Sequence, residues 1–229
     1  MTVTGGQRSR RQRNPRGQGE RLRDDIIEAA SRLLEDPASP PLSLRGVARA
    51  VGVAATSVYL HFDDVDSLVR AVADRHFGEL VRRQDEASKG VNEPCARVRA
   101  GALSYCEFGL AHPGQYQVMF SNPLPLLPPG QDGTRDQVPG RPALDRLVEA
   151  IAACLGRPPG DAASIQTAML VWQQLHGLVS LRISRPLFPW PPLADTVTDA
   201  VDRLLAGARA DSDDHEPAEA HVDAGTQER

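Results

Sequence analysis

Two short apolar segments hinged on a single glycine limit this chain more than any other feature. Residues 43–62 read SLRGVARAVGVAATSVYLHF. Ser43 is a residue type that accepts hydrogen bonds from the open N–H groups of a first helical turn, and Leu44, Val47 and Ala48 follow at helical spacing. Gly52 ends that helix in a tight turn, because glycine alone takes a left-handed backbone without steric cost. A further helix, predicted from Ala54 to Leu60, begins with side chains too small to fill a core and leads into Tyr59, His61 and Phe62. Val58 and Phe62, four apart, can dock it from behind. Its leading face, Ala54, Ala55, Thr56 and Ser57, suits close approach to another surface. Two helices joined this way form a helix-turn-helix, and a DNA major groove about 12 Å wide admits one of them. Hydroxyls of Thr56 and Ser57 can bond bases or phosphates, alanine methyls can touch thymine methyls, and Tyr59 and His61 can reach flanking phosphates.

The remaining pattern is helical. Leu22, Ile26, Ala29, Ala30, Leu33 and Leu34 share one face over 21–35, before Pro37, Pro40 and Pro41 stop the helix. Asp63 or Asp64 is placed to cap a long helix carrying Leu68, Val72, His76, Phe77 and Leu80. Helices are predicted from about Cys95 to Ala111, just after Pro113, around Leu144–Leu155, over 161–184 and over 193–208. Residues 121–142 hold prolines and glycines with few periodic apolar positions and read as an exposed loop. No strand or internal repeat is expected. The fold class is all-α.

Charge distribution matters more than its sum. The net charge of −4 hides seven arginines against Glu20 alone within residues 1–23, a balance of +6. Residues 211–229 carry seven acidic groups against Arg229, a balance of −6. An arginine-rich arm can follow phosphates and release their counterions. A disordered acidic end is the simplest reading of the tail. No apolar run nears the roughly 20 residues needed to cross a bilayer, and the first residues lack the apolar stretch of a secretory signal. The expectation is therefore a soluble, cytoplasmic protein. Cys95 and Cys106 fall eleven apart on one helix, about 16 Å at 1.5 Å per residue, so Cys95, Cys106 and Cys154 are expected as buried thiols. No cysteine–histidine spacing suggests a metal, and no GxSxG, HExxH, P-loop or dinucleotide fingerprint suggests an enzyme or a cofactor.

The stretch SLRGVARAVGVAATSVYLHFDDVDSLVRAV resembles the N-terminal domain of the tetracycline-repressor (TetR) family of transcriptional regulators. The likeness rests on Leu44, Arg45, Val47 and Ala48, the turn Gly52, then Tyr59, His61, Phe62 and Leu68, and it spans about residues 20–75. It implies that Arg45, Thr56, Ser57, Tyr59 and His61 face DNA, with Ala55 at the same surface. The family often has an acidic residue where Gly46 stands and a phosphate-binding lysine where Val65 stands. Those departures leave more charge neutralisation to Arg45, Arg49 and the arm.

Farther along, WQQLHG (Trp172 to Gly177) and LAHPGQYQVMF (Leu110 to Phe120) resemble a subgroup of that family with a W…HG signature. Tyr105, Phe108, Tyr116, Met119 and Phe120 read most simply as core, and His176 as a core histidine one turn from Trp172. The resemblance implies a cavity among these seven residues, suited to a small hydrophobic effector. It also implies a homodimer on a palindromic operator, sealed by the long helix around Ala168 and the helix 193–208. The expected organisation is a basic arm (1–19), a three-helix DNA-binding domain (20–66), an effector-binding and dimerisation domain (67–209) entered through a long helix, and an acidic tail (210–229). Competing readings are a helical interaction module of the same fold without specific DNA binding, and a small-molecule enzyme.

Overall fold

The computed structural model describes residues 18–36, 38–121, 139–158 and 160–213. The basic arm before residue 18, most of the expected loop (122–138) and the acidic tail from 214 lie outside the described residues. Nine helices are described: α1 (Gln18–Glu35), α2 (Leu44–Val51), α3 (Ala55–Tyr59), α4 (Val65–Ala87), α5 (Pro94–Ala111), α6 (Pro113–Ser121), α7 (Arg141–Leu155), α8 (Ala162–Ser184) and α9 (Leu193–Asp213). No strand occurs among the described residues. At the margins of the expected loop, Ser121 still belongs to α6 and Arg141 already to α7.

The first three helices form a small head on the start of α4. Ser43 accepts a hydrogen bond from the Gly46 amide at 3.1 Å, which starts α2 as its sequence requires. Gly52 turns at φ 80°, and the amides of Gly52 and Val53 both close on the Ala48 carbonyl. α3 leaves this turn only five residues long. So short a helix has little intrinsic stability, and tertiary packing must hold it. Val58 and Phe62 supply that packing, buried with Ile26, Ala30, Leu44, Val47, Leu68 and Val72. Asp64 then caps α4 by accepting from the Ser67 amide at 2.7 Å. That hydrogen bond, with a second from the Ser67 hydroxyl, holds the Asp64 carboxyl below its ordinary pKa.

In the C-terminal half, α4, α6, α7, α8 and α9 pack around α5. Enclosure on several sides explains why α5 buries Val98, Ala102, Tyr105, Cys106, Phe108 and Gly109 around its circumference. Gly109 is required for close approach: a Cβ there would stand 2.6 Å from Val179 Cγ1 and 2.8 Å from Tyr116 Cδ2. α8 buries Ala168, Val171, Leu175 and Val179 on one side and leaves Ile165, Leu170 and Leu181 exposed on others.

Short α6 joins the two halves. Its Tyr116 and Met119 belong to the C-terminal core, whereas Val118 belongs to the core of the head. Gly114 abuts the end of α1, where a Cβ would come within 3.0 Å of Glu35 Cβ.

The cysteines correct the expectation of three buried thiols. Cys95 and Cys154 form a disulfide, and only Cys106 is free and buried. Counted along α5, Cys95 cannot reach Cys106. Packing of α5 against α7 instead brings the first turn of one helix to the last turn of the other, a proximity invisible to spacing along the chain.

Candidate nucleic-acid interface and effector site

α3 divides into two faces. Val58 is fully buried, while Thr56 is exposed and Ala55 and Ser57 are partly exposed. Tyr59 is 49% exposed and His61 partly so, while Arg45 and Arg49 extend outward from α2. The six candidate DNA-facing residues thus lie on α2, on α3 and just past its end, none of them in the core. Ala55 also packs partly against the head's core, so its methyl is shared between the two environments. Two features escaped the sequence reading. Leu60, 82% exposed, stands beside Tyr59 at the end of α3. Gly19 lies near His61, since a Cβ on it would be 4.0 Å from His61 Cε1. The first turn of α1 therefore lies beside the end of α3. Behind α3, the Arg23 guanidinium covers the Phe62 ring at 5.2 Å.

The seven candidate effector residues come from three helices, α5, α6 and α8. A hydrogen-bonded relay links three of them: the Tyr105 hydroxyl is 2.8 Å from the Tyr116 hydroxyl, which is 2.7 Å from His176 Nδ1. Ser180 Oγ lies 3.4 Å from the opposite ring nitrogen, Nε2. Burial lowers the His176 pKa from its ordinary value, favouring a neutral ring with one donor and one acceptor nitrogen. Burial likewise raises both tyrosine pKa values, so both phenols keep their protons. Phe120 packs at 4.7 Å from both Tyr116 and His176 and at 6.3 Å from Trp172. Phe77 of α4 joins from the side, 5.5 Å from Phe120. Its apolar helical position was legible in sequence; its membership in this cluster depends on how α4 packs. Met119 is buried in the same core. Phe108 turns to other partners, His112 at 5.3 Å and the Arg83 guanidinium at 5.5 Å.

Between head and C-terminal half lies a polar junction that the sequence did not announce. His76 of α4 is buried, with Nε2 3.0 Å from Ser31 Oγ and 3.7 Å from Glu35 Oε1. Ser31 also donates to Glu35. An open cleft beside them is lined by Arg32 of α1, Arg75, Glu79 and Arg82 of α4, and His112 and Gln115 at the start of α6. Desolvation depresses the His76 pKa; the Glu35 carboxylate opposes that shift only in part.

Two family models match this chain. One, for bacterial regulatory proteins of the tetR family, covers residues 26–72, the head and the beginning of α4. The other, the tetracyclin repressor-like C-terminal domain, covers residues 98–208, from α5 into α9. The chain belongs to the TetR family. It is a DNA-binding transcriptional regulator, not an enzyme.

This TetR-family regulator is 28% identical over 186 residues to an uncharacterized HTH-type transcriptional regulator of Mycobacterium tuberculosis, across 81% of this chain and 80% of the relative. Among solved structures it is similar to a protein of unknown function from Rhodococcus sp. RHA1, with TM-score 0.64, 27% identity and coverage of 85% of this chain and 98% of that one. It also shares the fold of a TetR-family transcriptional regulator from Streptomyces coelicolor, with TM-score 0.60, 18% identity and coverage of 81% and 98%. Among the described residues, no helix is long and apolar enough to cross a membrane, and no group of histidines, cysteines and carboxylates is arranged to hold a metal ion.

Proposed function

We propose that this TetR-family protein is a cytoplasmic repressor that binds a palindromic operator as a homodimer and is released by a small hydrophobic effector. The observation that carries the reading is the two-sided α3: Val58 is locked into the head while Thr56 and Tyr59 are presented outward. Thr56, Ser57 and Ala55 read base edges or groove shape; Arg45, Tyr59 and His61 hold flanking phosphates and set register. Val65 at the start of α4 offers no charge, so Arg45, Arg49 and the arginines before α1 neutralise the backbone.

One head offers too few contacts for specificity, and a twofold pair would read half-sites about 34 Å apart. Support for α8 and α9 as the seam comes from the outward side of α8. Leu170 and Leu181 are exposed there, and nothing lies within 4 Å of a Cβ built on Gly177 between them, leaving room for a partner helix to approach closely.

The effector site is the cluster of Tyr105, Tyr116, Met119, Phe120, Trp172 and His176, with Phe108 in the same core but turned toward His112 and Arg83. The relay supplies polar groups to orient a ligand, and the surrounding rings supply apolar walls. Phe120 packs against Tyr116 and His176, so a ligand seated among these rings parts Phe120 from its neighbours. The head would sense that movement through α4 and through α6, because Tyr116 and Val118 lie in opposite cores. A ligand that favours misspaced heads weakens DNA binding by the same coupling free energy, typically about 1–3 kcal/mol.

Selection of bound sequences from a random duplex pool tests this directly. A twofold-symmetric site with half-sites one helical turn apart is expected. Recovery of no preferred sequence would reject specific operator binding.

A further inference from the structure

We infer that the Cys95–Cys154 bridge is a thiol–disulfide exchange site for low-molecular-weight thiols and disulfides, rather than a permanent staple. The bridge joins the first turn of α5 to the last turn of α7. A third helix attends it: the Arg209 guanidinium of α9 stands 3.0 Å from Cys95 Sγ, 3.6 Å from Cys154 Sγ and 3.4 Å from the Cys154 carbonyl oxygen. A cation against sulfur favours thiolate over thiol, the environment of reactive rather than inert cysteines. The opposing charge nearby in sequence, Glu93, is turned to backbone amides and to Arg99 rather than to either sulfur. Its carboxylate caps α5 through the Cys95 and Ala96 amides and faces Arg99 at 3.6 Å.

Exposure sets the direction of attack. Cys95 is buried, whereas Cys154 is partly exposed and the Arg209 side chain over the pair is exposed. An incoming thiolate, RS⁻, attacks Cys154 Sγ. The bond between the two protein sulfurs breaks, and its electron pair leaves with Cys95 as a thiolate beside Arg209. A second RS⁻ then attacks the R sulfur of the mixed disulfide, giving RSSR and the Cys154 thiolate. Overall, two thiolates are oxidised to one disulfide and the protein disulfide is reduced by two electrons. The reverse reaction, with RSSR as oxidant, restores the bridge. Cys106 takes no part, because burial pushes its thiol up to about 12 and leaves it fully enclosed.

Opening the bridge releases the end of α7 from the start of α5. That helix carries Ile151 into the core and packs Leu147 and Val148 against it, so the oxidation state of the pair sets how firmly one wall of the C-terminal core is held.

The test uses the full chain, equilibrated without oxygen against a series of reduced-to-oxidised glutathione ratios. Native protein is trapped with iodoacetamide and read by peptide mass spectrometry. Cys95 and Cys154 should become alkylated together with one shared two-electron midpoint, while Cys106 stays unlabelled until the protein is denatured. Replacing Arg209 by glutamine should slow native reduction about tenfold, and Arg209→Lys should restore most of the rate. Circular dichroism would confirm that both variants are folded. A bridge that resists every ratio until the chain unfolds would make it a staple and overturn the inference. So would two cysteines that titrate independently, or an Arg209→Gln variant reduced as fast as the parent.

Discussion

Tyr116 and Val118 are two residues apart on α6 and are buried in different cores, Tyr116 with Phe120 and His176, Val118 with the helices of the head. A rotation of α6 therefore moves both at once. Replacing Val118 by alanine removes about two methylene equivalents from the head core and should cost about 1–2 kcal/mol. Its distinguishing signature is location. Hydrogen exchange should accelerate in α1 to α3 although the substitution is in the C-terminal half of the sequence. Acceleration confined to α5–α9 would show that α6 does not brace the head.

Gly109 marks a close approach of helices in the C-terminal core, with Val179 and Tyr116 occupying the space a side chain would need. Gly109→Ala gains helix propensity but must displace both neighbours, and overpacking of this kind costs about 1–3 kcal/mol. Urea unfolding should show a lower midpoint with an unchanged slope. A variant as stable as the parent would mean that the crossing yields easily.

The buried His76 gives stability a pH dependence of defined sign. Its folded-state pKa lies below 6.5 through desolvation, despite Glu35 and Glu28 pulling upward, with Arg75 and His112 adding to the depression. As pH falls through 6.5, the unfolded chain takes up the proton first, so the folded state loses stability. His176 shifts in the same direction for the same reason. The urea midpoint should thus fall between pH 7.5 and pH 5.5, and less steeply in His76→Gln. Equal slopes for variant and parent would assign the dependence to other groups.

Leu170 and Leu181 test the proposed seam. Aspartate at either position, exposed in the single chain, should leave the fold intact by circular dichroism yet give a monomer in sedimentation and a weaker hold on DNA. A dimer that persists in both variants would move the seam to another surface.

Local chemistry made the head legible in sequence. Ser43, Gly52 and Asp64 each satisfy backbone groups within a few residues, so the caps and the turn follow from the residues alone. The two-sided character of α3 followed from side-chain size. Long-range contacts were not readable in this way. Phe77 reaching Phe120, His76 reaching Ser31, and Cys95 reaching Cys154 all depend on which helices become neighbours. The relay from Tyr105 to His176 is intermediate: its members were singled out as a group, but their hydrogen bonds arise from three helices converging.

The outward face of α3 is the part of this account that a single measurement can reach most directly. Fluorescence anisotropy at fixed salt would compare the parent and Thr56→Ala on a selected operator and on an unrelated duplex, with Arg49→Ala alongside. Loss of a base contact by Thr56→Ala should weaken operator binding by about 1–3 kcal/mol and leave the unrelated duplex almost unaffected, whereas Arg49→Ala should weaken both alike and flatten the salt dependence. Operator affinity unchanged by Thr56→Ala would contradict a helix seated with that residue in the groove.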